Sequence, residues 1–123
     1  MVVSSAKIIG LDEAKPVEHP EWLKKAGISK FYEKILIDKE TVGAEKLLVV
    51  YAVIPPGGTS GAAVKHEVEE AAFVLEGELT YIINGEEIKV GKNTAIFIPP
   101  GEAHKVVNKG NRVAKRLQFI SVK

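Results

Sequence analysis

His66, Glu70 and His104 are the residues whose types and spacing could do chemistry in this chain. They lie in two stretches, Val64-Lys65-His66-Glu67-Val68-Glu69-Glu70 and Pro99-Pro100-Gly101-Glu102-Ala103-His104. Read as an extended strand, the first stretch places Val64, His66, Val68 and Glu70 on one side and Lys65, Glu67 and Glu69 on the other. The charged odd set then faces solvent. The even set is apolar apart from His66 and Glu70, and a carboxylate facing an apolar interior is costly unless something compensates it. His104, from a later strand, is the candidate to share that compensation, directly or through a metal. Two imidazoles and one carboxylate are the ligand set of non-haem Fe(II) oxygenases, and three protein ligands with open positions form a catalytic layout. The competing reading is a hydrogen-bonded cluster with water, in which a His–Glu pair satisfies the charge. Glu70 is also a candidate catalytic acid or base, because burial raises a carboxyl pKa toward neutrality.

Pro99-x-Gly101-x-x-His104-x-x-x-Asn108 resembles the second signature motif of the cupin superfamily, with Asn93 where the family usually has Gly. Asn is the commonest non-glycine residue at positive φ, so the exchange is mild. The first motif matches in part. Counting back from Gly77 at the end of Phe73-Val74-Leu75-Glu76-Gly77, the family's Glu falls on Glu70, its second His on His66 and its first His on Val64. One of the four usual metal ligands is therefore missing. The resemblance implies an all-β fold, a double-stranded β-helix or jelly-roll barrel over 44–123, preceded by an extension over 1–43 that packs on the barrel or on a partner subunit. It also implies a homodimer.

The whole chain sets bounds on that reading. At 123 residues, with 46% hydrophobic and 27% charged residues, it suits one soluble single-site domain. Seventeen basic and sixteen acidic residues are interspersed, giving a formal charge of +1, so neither nucleic acid nor a membrane surface is expected as a partner. No apolar run reaches the length of a membrane span. Met1 to Gly10 lacks the basic start and apolar core of a signal peptide, so the expected location is cytoplasmic. The absence of cysteine leaves imidazole and carboxylate as metal ligands, which narrows the cofactor to a divalent transition metal, namely iron, manganese, nickel, copper or zinc. One Gln and one Met beside many Lys and Glu fit a heat-adapted source.

The elements that must position these residues are mostly short strands. Leu79 to Val90 holds two β-prone runs joined by Asn84-Gly85, the preferred two-residue hairpin turn. Lys46 to Ile54, Phe31 to Ile37, Thr94 to Ile98, His104 to Asn108 and Arg112 to Val122 read as further strands, ended by Pro-Pro-Gly or Gly-Asn punctuation. His19 to Gly27 reads as a short helix, with Pro20 in its first turn and Gly27 past its end. Ala71, Phe73 and Leu75 point outward on the alternation that turns Glu70 inward, so an apolar outer surface needs covering, by the N-terminal residues or by a second subunit. His19 reads as a surface or capping residue, and Trp22, Phe31 and Tyr32 as packing residues. Asn108 is assigned local hydrogen bonding at a strand end. Gln118 is open between pocket and exterior.

Ala72, small and inward-facing, leaves volume for a ligand beside Glu70, and Val64 and Val68 make an apolar wall. No inward arginine is evident, which disfavours strongly anionic substrates. The expected function is that of a metal-dependent enzyme on a small molecule, of oxygenase, isomerase or lyase type. A non-catalytic binding or sensing protein is the alternative, and a structural homodimer with a vestigial site the third reading.

Overall fold

A computed structural model describes residues 5–123; the first four residues of the expected 1–43 extension lie outside the described residues. Its strands are β1 (Tyr32–Ile37), β2 (Leu47–Ile54), β3 (Glu70–Glu76), β4 (Leu79–Ile83), β5 (Glu86–Val90), β6 (Thr94–Ile98), β7 (His104–Val107) and β8 (Ala114–Ser121). They form two sheets, in the orders β1-β2-β8-β3-β6 and β5-β4-β7. Neither sheet closes on itself. Two short α-helices, α1 (Glu21–Lys25) and α2 (Lys39–Val42), precede and follow β1. Among the described residues no helix is long and apolar enough to cross a membrane.

Local chemistry accounts for the boundaries. Asn84 and Gly85 both take positive φ, 50° and 83°, as a type I′ turn requires, and Ile83 pairs with Glu86 across it. Asn93 takes φ 62°, in keeping with its reading as a substitute for glycine. The α2 helix is additional to the elements expected from the sequence. It is held by a reciprocal cap, in which Asp38 accepts from the Thr41 N–H while the Thr41 hydroxyl accepts from the Asp38 N–H.

Facing sides of the two sheets enclose one core, in which Ala52, Ile54, Val74 and Ala114 of the larger sheet meet Leu79, Tyr81, Val90 and Val106 of the smaller. Residues 22–37 contribute to both core and cleft. Strand β1 pairs with β2 from Tyr32 to Ile37, and Phe31 is buried in the core.

The expected strand over Val64 to Glu70 does not form. β3 begins only at Glu70, and the residues before it run as an irregular loop with a bend at Glu67 and Val68. Backbone pairing elsewhere takes its place. Val64 bridges to His104 in both directions, at 2.9 and 2.8 Å, and the His66 carbonyl accepts from Gly101 N–H at 2.7 Å. The loop is therefore tied to the segment that carries His104.

Candidate metal centre

Glu70 opens β3 in the five-stranded sheet and His104 opens β7 in the three-stranded one, so the site spans the gap between the sheets. His66 reaches it from the loop. One donor atom from each of the three lies within 4.8 Å of the others. His104 Nε2 is 3.3 Å from Glu70 Oε2, and His66 Nε2 is 3.9 Å from Glu70 Oε1. Ligands at metal distances of about 2.0–2.2 Å sit about 3.0–3.5 Å apart around one ion, so the cluster needs only small closure to hold one.

The orientation of His104 is set from behind. Its Nδ1 lies 3.0 Å from the Glu102 carbonyl, which can only accept, so Nδ1 carries a proton; Nε2 donates to the Glu70 carboxylate when the ring is protonated and is left as the ligating nitrogen when the ring is neutral. Glu70 is 3% exposed. Its Oε2 accepts from Gln118 Nε2 at 2.6 Å, whereas Oε1 is buried with no hydrogen-bond partner. A buried, orphaned carboxylate oxygen facing an imidazole nitrogen is what a cation would satisfy, and the donor set fits a divalent transition metal. His66, with its side chain 44% exposed, leaves one side of the cluster open to solvent.

Burial pushes the Glu70 carboxyl up, but the hydrogen bonds with His104 and Gln118 and the nearby imidazoles outweigh it and hold the group below its ordinary value of 4.5. The expected rise toward neutrality is thus reversed. Glu70 is ionised at neutral pH, as a ligand must be. The hydrogen bond to Glu70 raises the His104 imidazole above its ordinary 6.5, against burial and the charge of Arg116.

A cleft of about 190 Å³ runs from this cluster toward α1. Val64 lines it; Ala72 does not. Ala72 is 2% exposed and sits in the core, opposite Gln118 and Ile96. Val68 is also absent from the lining. Gln118 belongs to the cleft, and Asn108 serves a strand end by donating to the carbonyls of Ile54 and Arg112. His19 stands apart, its Nε2 2.8 Å from Glu33 Oε1. Trp22 and Phe31 line the cleft rather than serving only as packing.

Arg116 is a cleft residue that the sequence pattern does not reveal. It lines the cleft at 3% exposure, donating from one terminal nitrogen to the Tyr81 hydroxyl at 2.7 Å and from the other to Gln118 Oε1 at 3.2 Å. The expectation of no inward arginine is therefore corrected. Alternation places Arg116 with Gln118 on one face of β8, but the opposite face also mixes polar and apolar residues, and only the pairing of Arg116 with Val74 reveals which face is inward.

Two sheets about one core carry, at a cleft between them, three side chains whose donor atoms could hold a single metal ion. The chain belongs to the cupin family: the family described as "Cupin domain" matches residues 50–121. Over 88 residues it is 32% identical to the oxalate-binding protein of Thermotoga maritima, covering 71% of this chain and 69% of that protein. It is 26% identical over 88 residues to the tetracenomycin polyketide synthase protein TcmJ of Streptomyces glaucescens, covering 72% of this chain and 59% of TcmJ. The structure of the polyketide cyclase RemF from Streptomyces resistomycificus is similar over 96% of this chain and 80% of that one, with a TM-score of 0.79 and 26% identity.

Proposed function

We propose that this cupin is a mononuclear metal-dependent enzyme acting on a small molecule, of oxygenase, isomerase or lyase type, with His66, Glu70 and His104 as its ligands. The observation that carries the reading is the buried Glu70 Oε1, which lacks a partner while two imidazole nitrogens converge on the same carboxylate. A bound ion would supply Lewis acidity to a substrate oxygen or nitrogen. The chain's own residues do the rest. Glu102 holds the His104 tautomer, Gln118 holds the Glu70 carboxylate, and Val64 leaves a coordination position free beside an apolar wall. Likeness to the polyketide cyclase RemF supports catalysis.

A second reading, a binding or sensing cupin without turnover, draws on Val64 in place of a ligand and on the likeness to an oxalate-binding protein. Elemental analysis of protein purified without chelator or affinity tag tests the first reading. One equivalent of a transition metal, lost in Glu70→Gln, is expected; a metal-free wild type that also fails to take up added metal overturns it.

The finer architecture belongs to the same proposal. The two sheets act as halves of a double-stranded β-helix barrel, the described part of the N-terminal extension, residues 5–43, packs on its wall, and the protein works as a cytoplasmic homodimer from a heat-adapted source. The dimer is supported by an apolar row on the outer face of the five-stranded sheet. Phe97, Ala71 and Phe119 stand opposite one another there, and the two phenylalanines are 55% and 37% exposed.

A further inference from the structure

Arg116 has no carboxylate within ion-pair distance among the described residues. Its guanidinium is buried between Phe31 and Tyr81, 5.2 and 5.9 Å from the two ring centroids, and its polar partners are the neutral Tyr81 hydroxyl and Gln118 carbonyl. The Nε–H has no partner. A fully charged group removed from water without a counter-ion is costly, and the guanidinium fork matches a carboxylate in geometry and charge. Glu70 does not fill that place. It reaches Arg116 only through Gln118, and its charge is engaged by the two imidazoles, or by a metal. Glu33, the other acid in the cleft, is taken by His19. Most of the remaining wall is apolar, including Trp22, Leu23, Ile28 and Val64.

We infer that Arg116 anchors an organic carboxylate with an apolar body, bound in the cleft so that its other end lies toward His66, Glu70 and His104. This deepens the enzyme reading by naming its substrate class, and it rests on that reading for the role of the three ligands. The Phe31 and Tyr81 rings flank the guanidinium, and Gln118 bridges it to Glu70. Arg116 therefore sets specificity by charge, while the α1 side of the cleft accommodates the apolar part.

Calorimetric titration of the metal-free protein with benzoate, benzamide, oxalate and oxamide tests the assignment, alongside a separate Zn(II) titration of each variant. Benzoate is expected to bind more tightly than benzamide by about tenfold, and Arg116→Met to lose about tenfold in benzoate affinity while retaining Zn(II) binding. Benzamide binding as tightly as benzoate, or an unaltered benzoate affinity in Arg116→Met, overturns the anchor. Oxalate binding more tightly than benzoate overturns the apolar body. If Arg116→Met does not fold, Arg116→Lys keeps the charge without the fork and is expected to lose affinity for benzoate; the acid–amide comparison in the wild type then decides. Arg116-dependent benzoate binding without Zn(II) binding defeats the metal reading and leaves this one standing. Zn(II) binding without a preference for the acid does the reverse.

Discussion

Glu70 is the residue on which the site turns, because it meets both imidazoles and Gln118 from a buried position. Glu70→Gln removes the anionic donor but keeps the shape, and its metal affinity should fall by about a hundredfold or more in a chelator competition assay. Val64→His should act in the opposite direction. Position 64 pairs directly with His104, so the new ring emerges on the same side and can replace a water as a fourth ligand. Calorimetry with Fe(II), Mn(II), Ni(II) or Zn(II) should show tighter binding; equal or weaker affinity would remove Val64 from the vacated ligand position. The pH dependence follows from the two shifted groups. In metal-free protein, the lowered Glu70 adds stability above its unfolded value of 4.5, which is lost as pH falls through the folded pKa. The raised His104 adds stability below its unfolded value of 6.5, which is lost as pH rises through the folded pKa. Their joint contribution is greatest between those values and declines above 6.5 as pH rises through the folded pKa of His104. Metal needs neutral imidazole, so the extra stability on adding Zn(II) should grow over the same interval. Denaturant melts with and without Zn(II) at each pH will show whether the two trends diverge.

At the scale of elements, two glycines of similar φ have different duties. Gly85 takes φ 83° in the β4–β5 turn and a Cβ there would meet nothing within 4 Å. Gly77 takes φ 74° where the chain leaves β3 for β4, passing from one sheet to the other, and a Cβ would lie 2.8 Å from the Val113 carbonyl oxygen and 2.9 Å from Ala114 Cα. Gly85→Ala should cost about 1–2 kcal/mol from backbone strain alone, and Gly77→Ala about 2–5 kcal/mol because strain and overlap with fixed backbone add. Urea midpoints for the pair measure the difference, and equal losses would mean that the Val113–Ala114 backbone yields freely.

For the whole molecule, the apolar row of Phe97, Ala71 and Phe119 is the surface on which the proposed homodimer rests. Phe97→Lys combined with Phe119→Lys should shift sedimentation equilibrium from dimer to monomer while leaving Zn(II) affinity unchanged, because these side chains lie on the face opposite the inward-turned Glu70. An unchanged sedimentation mass would place the interface elsewhere. Tyr32, 62% exposed, and Leu47, 44% exposed, would then be the next surface to test.

Local rules were enough to read the Asn84-Gly85 hairpin, the Asn93 turn and the extents of most strands, since positive φ and side-chain alternation depend on a residue and its immediate neighbours. The trio His66, Glu70 and His104 was legible as well, through two motifs whose spacing survives even though the loop before β3 is not the strand that the alternation implied. The inward turn of Arg116, the retreat of Ala72 into the core and the place of Trp22 beside the cleft were not legible. Each depends on pairing or packing between distant segments: Arg116 faces inward because β8 pairs with β3 in one register, and a shift of one residue would have turned Lys115 and Leu117 inward instead. The lowered pKa of Glu70 belongs with these. Burial alone predicts a rise, and only the convergence of Gln118, His104 and His66 from separate parts of the chain reverses its sign.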